Sequence, residues 1–274
     1  MRESDFLGNC GYCKSREAVD RPTVPHAAKR LDIPTLIGEL DRLFAAERLT
    51  DAQSLLETSL EEARALGDRS GELSILSELM GFHRRSGDAE AARKACREGI
   101  DLVGELKLGS AVSGATVLLN AATTLAAYGE PAEAIGLFEQ VSRVYSANLD
   151  PQDYRFAGLY NNMGTGYAAL GDFERSRAYY LAALKLLRET DNREEVAVTH
   201  VNLAQIYDSF EREDRDEQVD LHVSAAIAEL DGSPRRDGYH AFTCRKCAPT
   251  LDRLGYFFDA KRLDERADDI YARN

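Results

Sequence analysis

The chain has 274 residues, 44% hydrophobic and 30% charged, with no Trp and only 7 Pro, a composition suited to helices. Its 34 basic and 47 acidic side chains leave a formal net charge of −13, which argues against nucleic acid or an anionic membrane as the main partner. No stretch approaches the roughly 20 apolar residues of a membrane span. The N-terminus, MRESDFLGNCGYCK, lacks an apolar secretory core, and five cysteines, an odd count, point to reduced thiols in a cytoplasm.

Residues 1–33 carry Pro22, Pro25 and scattered charge, and are expected to form an irregular arm or a short preceding helix. Pro34, following Asp32, opens the first recognisable helix, since proline fits a first turn where no N–H is needed. Leu36, Leu40 and Leu43 or Phe44 form its apolar stripe, and Ala52, Leu56 and Ala63 mark a partner helix. A second pair follows, with Leu76, Leu79, Met80 and His83, a turn at Gly87-Asp88, then Ala92 and Cys96. The third has Leu118, Ala121, Ala122 and Leu125, a turn at Gly129, then Ala134 and Phe138.

The fourth is the clearest: LYNNMGTGYAALGDFERSRAYYLAALKL, residues 159–186. Tyr160, Met163, Gly164 and Tyr167 fall at i, i+3, i+4 and i+7 on one helix face. Gly171-Asp172 breaks the pattern, and Ser176, Tyr180, Ala183, Leu184 and Leu187 start a second stripe. Gly164 and Ala183 are small enough to let the two helices approach closely. The three turn glycines are evenly spaced, 129 − 87 = 42 and 171 − 129 = 42. A strict period is the signature of a repeat array.

The fifth pair has His200, Leu203, Ala204 and Tyr207, a charged turn from Ser209 to Asp216 about three residues longer than the others, then Val219, Val223 and Ala226. For the sixth, two registers are open. The preferred one fills the signature slots with Leu251, Leu254-Gly255, Phe258, Ala267 and Tyr271, and makes Tyr239 to Ala248 an N-terminal extension.

The size pattern of residues 159–186 resembles the tetratricopeptide repeat, in which a bulky residue, Leu-Gly, an aromatic and then Ala-x3-aromatic recur. Here Tyr160, Met163-Gly164, Tyr167, Ser176 and Tyr180 take those places, with Ser for Ala a mild departure. The long repeats are similar to those of kinesin light chain and bacterial peptide-pheromone receptors. The resemblance implies an all-α fold, a right-handed superhelical array of about six antiparallel helix pairs over residues 34–274. It also implies a concave face, lined by the first helix of each pair, that binds an extended peptide or partner segment.

Five places before the aromatic slot stand Asn120, Asn162 and Asn202, in three successive repeats. Clamp-type members of the family place there an asparagine that bonds ligand backbone. The chemistry is apt, because an amide offers both donors and an acceptor to a peptide unit. Thr123, Asn161, Thr165 and Gln205 lie beside the ladder, and Arg84 and Arg245 add positive ends. The basic residues of a terminal-carboxylate clamp are not in the required arrangement. The competing reading is that each asparagine bonds the neighbouring helix.

Cys10-x2-Cys13 and Cys244-x2-Cys247 could hold zinc or work as thiols. The pairs lie far apart in sequence, and His240, Cys244, Cys247 and Leu251 continue one core stripe, so burial is the expected role of the second pair. Cys96, His83 and His200 sit in core slots. Glu61-Glu62, Glu194-Glu195 and Asp268-Asp269 are expected on solvated helix faces. No phosphate loop or nucleophile elbow is present.

The sequence therefore points to a non-enzymatic, cytoplasmic, bacterial-style scaffold that binds protein or peptide, with no cofactor and no metal. The alternatives are the ligand-sensing half of a peptide-signalling regulator without its own DNA-binding domain and, more weakly, a zinc- or thiol-dependent protein. Leu263, Ile270 and Tyr271 on the last helix are expected to need cover, which would make a homo-oligomer.

Overall fold

A computed structural model describes residues 30–273, apart from Glu189 and Arg212. The described residues form helices and connecting turns, without a strand. They divide into two compact units, the first ending at Asp150 and the second beginning at Pro151. Most of the expected N-terminal arm, with Cys10 and Cys13, lies outside the described residues.

The first unit contains α1 (Ile33–Ala45), α2 (Leu49–Leu66), α3 (Arg69–Ser86), α4 (Ala89–Glu105), α5 (Val112–Ala127) and α6 (Pro131–Asn148). The second contains α7 (Arg155–Ala169), α8 (Phe173–Leu187), α9 (Arg193–Asp208), α10 (Arg215–Gly232), α11 (Gly238–Arg253) and α12 (Phe257–Tyr271). Each odd-numbered helix packs on its successor as a pair, and within each unit successive pairs stack, α4 on α5 and α8 on α9 among them.

The local chemistry explains the boundaries. Asp32, Asp68, Asp88 and Asp172 each accept a backbone N–H three residues on, and Asp237 accepts from Tyr239 and His240. Such caps satisfy N–H groups that a helix start leaves unbonded, for about 1 kcal/mol each. Gly87, Gly129 and Gly171 stand at φ of 81°, 90° and 77°, left-handed backbone that reverses the chain within each pair. In the fifth pair Ser209–Asp214 makes the turn without glycine, and Arg215 ties it by donating to the carboxylate and the carbonyl of Asp208.

The expected core slots of pairs two to five are buried, from Leu76, Met80 and Cys96 through Phe138 and Tyr180 to Leu203 and Ala226, apart from Tyr160, which is half-buried. Gly164 works somewhat differently from the expectation. A Cβ there would stand 2.6 Å from Tyr180 Cε1, so the glycine makes room for an aromatic ring rather than for a second backbone.

Three expectations are corrected. The sixth pair takes the other register: Gly255, at φ 93°, is its turn glycine, 255 − 171 = 84 residues after Gly171 and so two periods on. Helix α11 runs unbroken from Gly238 through Pro249 to Arg253, with Cys244, Cys247 and Leu251 buried, while Phe258 is 79% exposed rather than a core residue. Second, Leu263 and Ile270 are buried within the unit, which removes the reason given for self-association. The outer face of α12 carries the exposed Glu265, Asp268 and Asp269.

Third, Glu194 is not on a solvated face. Helix α9 touches α7, α8, α10 and α11 and is buried almost all round, so its first turn is drawn inside. Glu61, Glu62, Asp268 and Asp269 are exposed as expected.

Candidate functional site

The ladder position is defined by the repeat period, and on the observed register it extends beyond the asparagines. It runs Glu78 and Asn120 in the first unit, and Asn162, Asn202 and Lys246 in the second, where 120 − 78 = 42, 162 − 120 = 42 and 246 − 162 = 84, while Asn202, five places before Tyr207, falls 40 residues after Asn162. Glu78 was legible from the spacing directly, five places before His83, and Lys246 once Gly255 was placed.

In the first unit, Asn120 is half-buried and donates through Nδ2 to Ser77 Oγ on α3 at 2.7 Å. Arg84 Nη1 donates to Thr124 Oγ1 at 2.9 Å, and Thr124 donates to the Asn120 carbonyl. Thr123 is buried and bonds its own helix at Leu119. These bonds stitch α3 to α5. Burial, with the nearby Asp41 carboxylate, pushes the Glu78 carboxyl up to about 7.

In the second unit, Asn161 is fully buried and donates to Thr199 Oγ1 at 2.9 Å, joining α7 to α9. Thr165 donates to the Asn161 carbonyl and lies 3.0 Å from the Tyr180 hydroxyl. Asn162 and Asn202 are buried on α7 and α9. One turn beyond Asn202, Gln205 is 2% exposed, and among the described residues neither its Nε2 nor its Oε1 has a hydrogen-bond partner. Arg245 is directed elsewhere: its guanidinium donates to Asp268 at 2.5 Å and lies over the Tyr271 ring, on the α12 side.

A second buried polar cluster joins α9 to α11. Glu194 Oε1 accepts from Ser233 Oγ at 2.6 Å and lies 3.0 Å from His240 Nδ1, and Tyr239 donates to Glu195 Oε1 at 2.6 Å. Burial would raise the Glu194 carboxyl, but the bonds from His240 and Ser233 outweigh it and hold it at about 2. Nearby, His200 and His222 meet Nδ1 to Nδ1 at 2.8 Å, one donating and one accepting. Burial pushes both down to about 4, and the neighbouring His222 ring adds to the effect on His200. His200 and His222 are core groups, as expected for His200. Local sequence gave no sign of either cluster, because each is completed by a residue at least 22 positions away.

Cys244 and Cys247 are fully buried, and burial pushes their thiols up to about 11 and about 12. Among the described residues no group of three or more His, Cys, Asp or Glu is placed to hold a metal ion. Among them, too, no helix is long and apolar enough to cross a membrane.

Residues 155–215 match the tetratricopeptide repeat family model. No curated protein matches the chain. Among solved structures, BtubC (BKLC) from P. vanneervenii is 22% identical, with a TM-score of 0.53, covering 85% of this chain and 91% of that one. A point variant of the kinesin-light-chain TPR-like repeats from Podosopora anserina is 16% identical, with a TM-score of 0.50, covering 72% of this chain and 93% of the other. These similarities show a shared fold. The repeat match over α7–α9, with helix pairs that recur through both units, shows that this chain carries a tetratricopeptide repeat in that stretch and shares the all-α repeat fold of these structures.

Proposed function

We propose that the protein is a non-enzymatic scaffold that binds an extended peptide or partner segment through the first helices of its pairs, with the α7–α9 face as the principal site. The observation that carries this reading is Gln205. A buried amide left unpaired among the described residues costs about 1–3 kcal/mol per group, and a bound backbone that reached it would remove that cost. A peptide unit presents one N–H and one C=O, the complement of a primary amide. Asn162 and Asn202 put two more amides on the same pair of helices. Tetratricopeptide arrays commonly act in this way, through stacked pairs that expose a long face.

The experiment is an array of immobilised random peptides probed with wild type, Gln205→Leu, and the Asn120→Ala/Asn162→Ala/Asn202→Ala triple variant. Gln205→Leu removes the orphaned groups and should fold at least as well as wild type, while losing the peptides that wild type retains. If a folded Gln205→Leu protein keeps the same peptides, this face is not the site. If the triple variant unfolds, the ladder serves the helix contacts that Asn120 makes with Ser77.

A further inference from the structure

In the first unit, Ser74, Glu78, Gly81 and Arg85 fall at i, i+4, i+7 and i+11 of α3. They are its partly exposed stripe, while the core face of the helix is buried. Glu78 stands on this stripe in the slot that Asn120 holds on α5. Among the described residues Glu78 has no hydrogen bond and no ion pair. The arginines of the same helix are turned to other partners: Arg85 lies over the Phe44 ring of α1, and Arg84 donates to Thr124 on α5. The charged group that bears on Glu78 is a second carboxylate, that of Asp41 on α1.

The space beside the carboxylate is open. One turn beyond Glu78, Gly81 holds the slot of Thr123 and Thr165, with 123 − 81 = 42 and 165 − 123 = 42. A Cβ at Gly81 would meet within 4 Å one atom, Arg84 Nη2, at 4.0 Å. A side chain fills this slot in the next two pairs, and in α3 it is a notch. On the neighbouring helix α5, the Asn120 amide spends its Nδ2 on Ser77 Oγ, and among the described residues nothing donates to its Oδ1. The notch therefore presents acceptors, a carboxylate and an amide oxygen, to whatever enters it. A group that completes them brings N–H donors and positive charge. The formal charge of −13 draws such a group toward the chain from a distance.

We propose that Glu78, with the Asn120 amide oxygen and the space left by Gly81, takes the protonated side chain of a lysine or arginine from the bound segment. The first unit then selects basic segments, by charge, where the amides of the second unit read backbone. This inference rests on the reading that the first helices of the pairs carry the binding face, and it adds a residue that sets specificity.

The test uses three pools of short random peptides, N-acetylated and C-amidated, with the central residue fixed as lysine, norleucine or glutamate. Capped ends remove terminal charge, and norleucine keeps the stem of lysine without its ammonium. The full chain should hold the lysine pool about tenfold more tightly than the norleucine pool, as a hydrogen bond to a charged group does, and the glutamate pool least. Glu78→Gln should bring the lysine pool down to the norleucine level and leave the norleucine pool unchanged. Gly81→Leu, which fills the notch, should also lose the preference, and circular dichroism checks that both variants fold. Glu62→Gln, the same change of charge at an exposed position of α2, should keep it. Equal retention of the lysine and norleucine pools by wild type overturns the proposal and leaves the α7–α9 reading standing. A lysine preference that survives in Glu78→Gln also overturns it, because the overall negative charge is then the cause. Retention of no pool by wild type overturns both readings.

Discussion

Gly164→Ala is a direct test of how α7 meets α8. A methyl group at this position would stand 2.6, 2.8 and 2.9 Å from Cε1, Cδ1 and Cζ of Tyr180, against ordinary contacts of about 3.5–4.0 Å. The ring has nowhere to go. Tyr180 is fully buried, its hydroxyl lies 3.0 Å from Thr165 Oγ1, and Ser176 Oγ donates to the Gly164 carbonyl at 2.7 Å. Replacing a helical glycine with alanine gains about 1 kcal/mol of helix propensity. Forcing a methyl group into a packed core costs about 1–3 kcal/mol. Because the ring cannot move away, the upper end of that cost applies, for a net loss of about 2 kcal/mol, read as a lower urea midpoint by circular dichroism at about 222 nm. Gly99→Ala is the internal control. Its Cβ would meet the terminal methyl of Met80, a flexible side chain that can swing away, so the variant should be neutral or slightly stabilised. Adding Tyr180→Leu to Gly164→Ala should give a favourable coupling, since the ring that clashes is gone. The reasoning is refuted if Gly164→Ala is as stable as wild type, or if the two glycine variants behave alike.

Two further outcomes follow from the buried groups of the second unit. Glu194 is held at about 2 against 4.5 when unfolded, so its contribution is present above about pH 4.5 and disappears as pH falls toward 2. The gap in urea midpoint between wild type and Glu194→Gln should therefore be constant above about pH 5 and close between 4.5 and 2, and a gap that stays level through that window would sink the assignment. In a Cys10→Ser/Cys13→Ser background, a maleimide should leave native Cys96, Cys244 and Cys247 unlabelled and label all three in denaturant, since each is fully buried with its thiol raised. Rapid stoichiometric labelling of the native protein would show that the CxxC pair of α11 is a working thiol site.

The repeat architecture was readable in the sequence because it is written locally and then repeated. Gly87, Gly129 and Gly171 need left-handed backbone wherever they occur, and small and large residues alternate around them at helical spacing. The asparagine slots followed from the same period. Three-dimensional packing decided the rest. The sixth pair satisfies the repeat signature in two registers, because a short size pattern tolerates several fillings. The fold chose the one that buries Cys244, Cys247 and Leu251 and turns at Gly255, leaving Phe257 and Phe258 outside.

Glu194 shows the same limit. A Glu-Glu pair in a first helical turn looks solvated in sequence, yet α9 lies among four other helices, and Ser233 and His240, 39 and 46 residues away, supply the bonds that make its burial tolerable. Gln205 stands out by its place beside the asparagine slot, but that both ends of its amide go unpaired among the described residues is a property of its neighbours. Periodicity and turn chemistry are set by each residue and those within one helical turn of it. Burial and pairing depend on what the rest of the chain brings alongside, and that distinction separates what the sequence by itself determined from what only the tertiary structure decided.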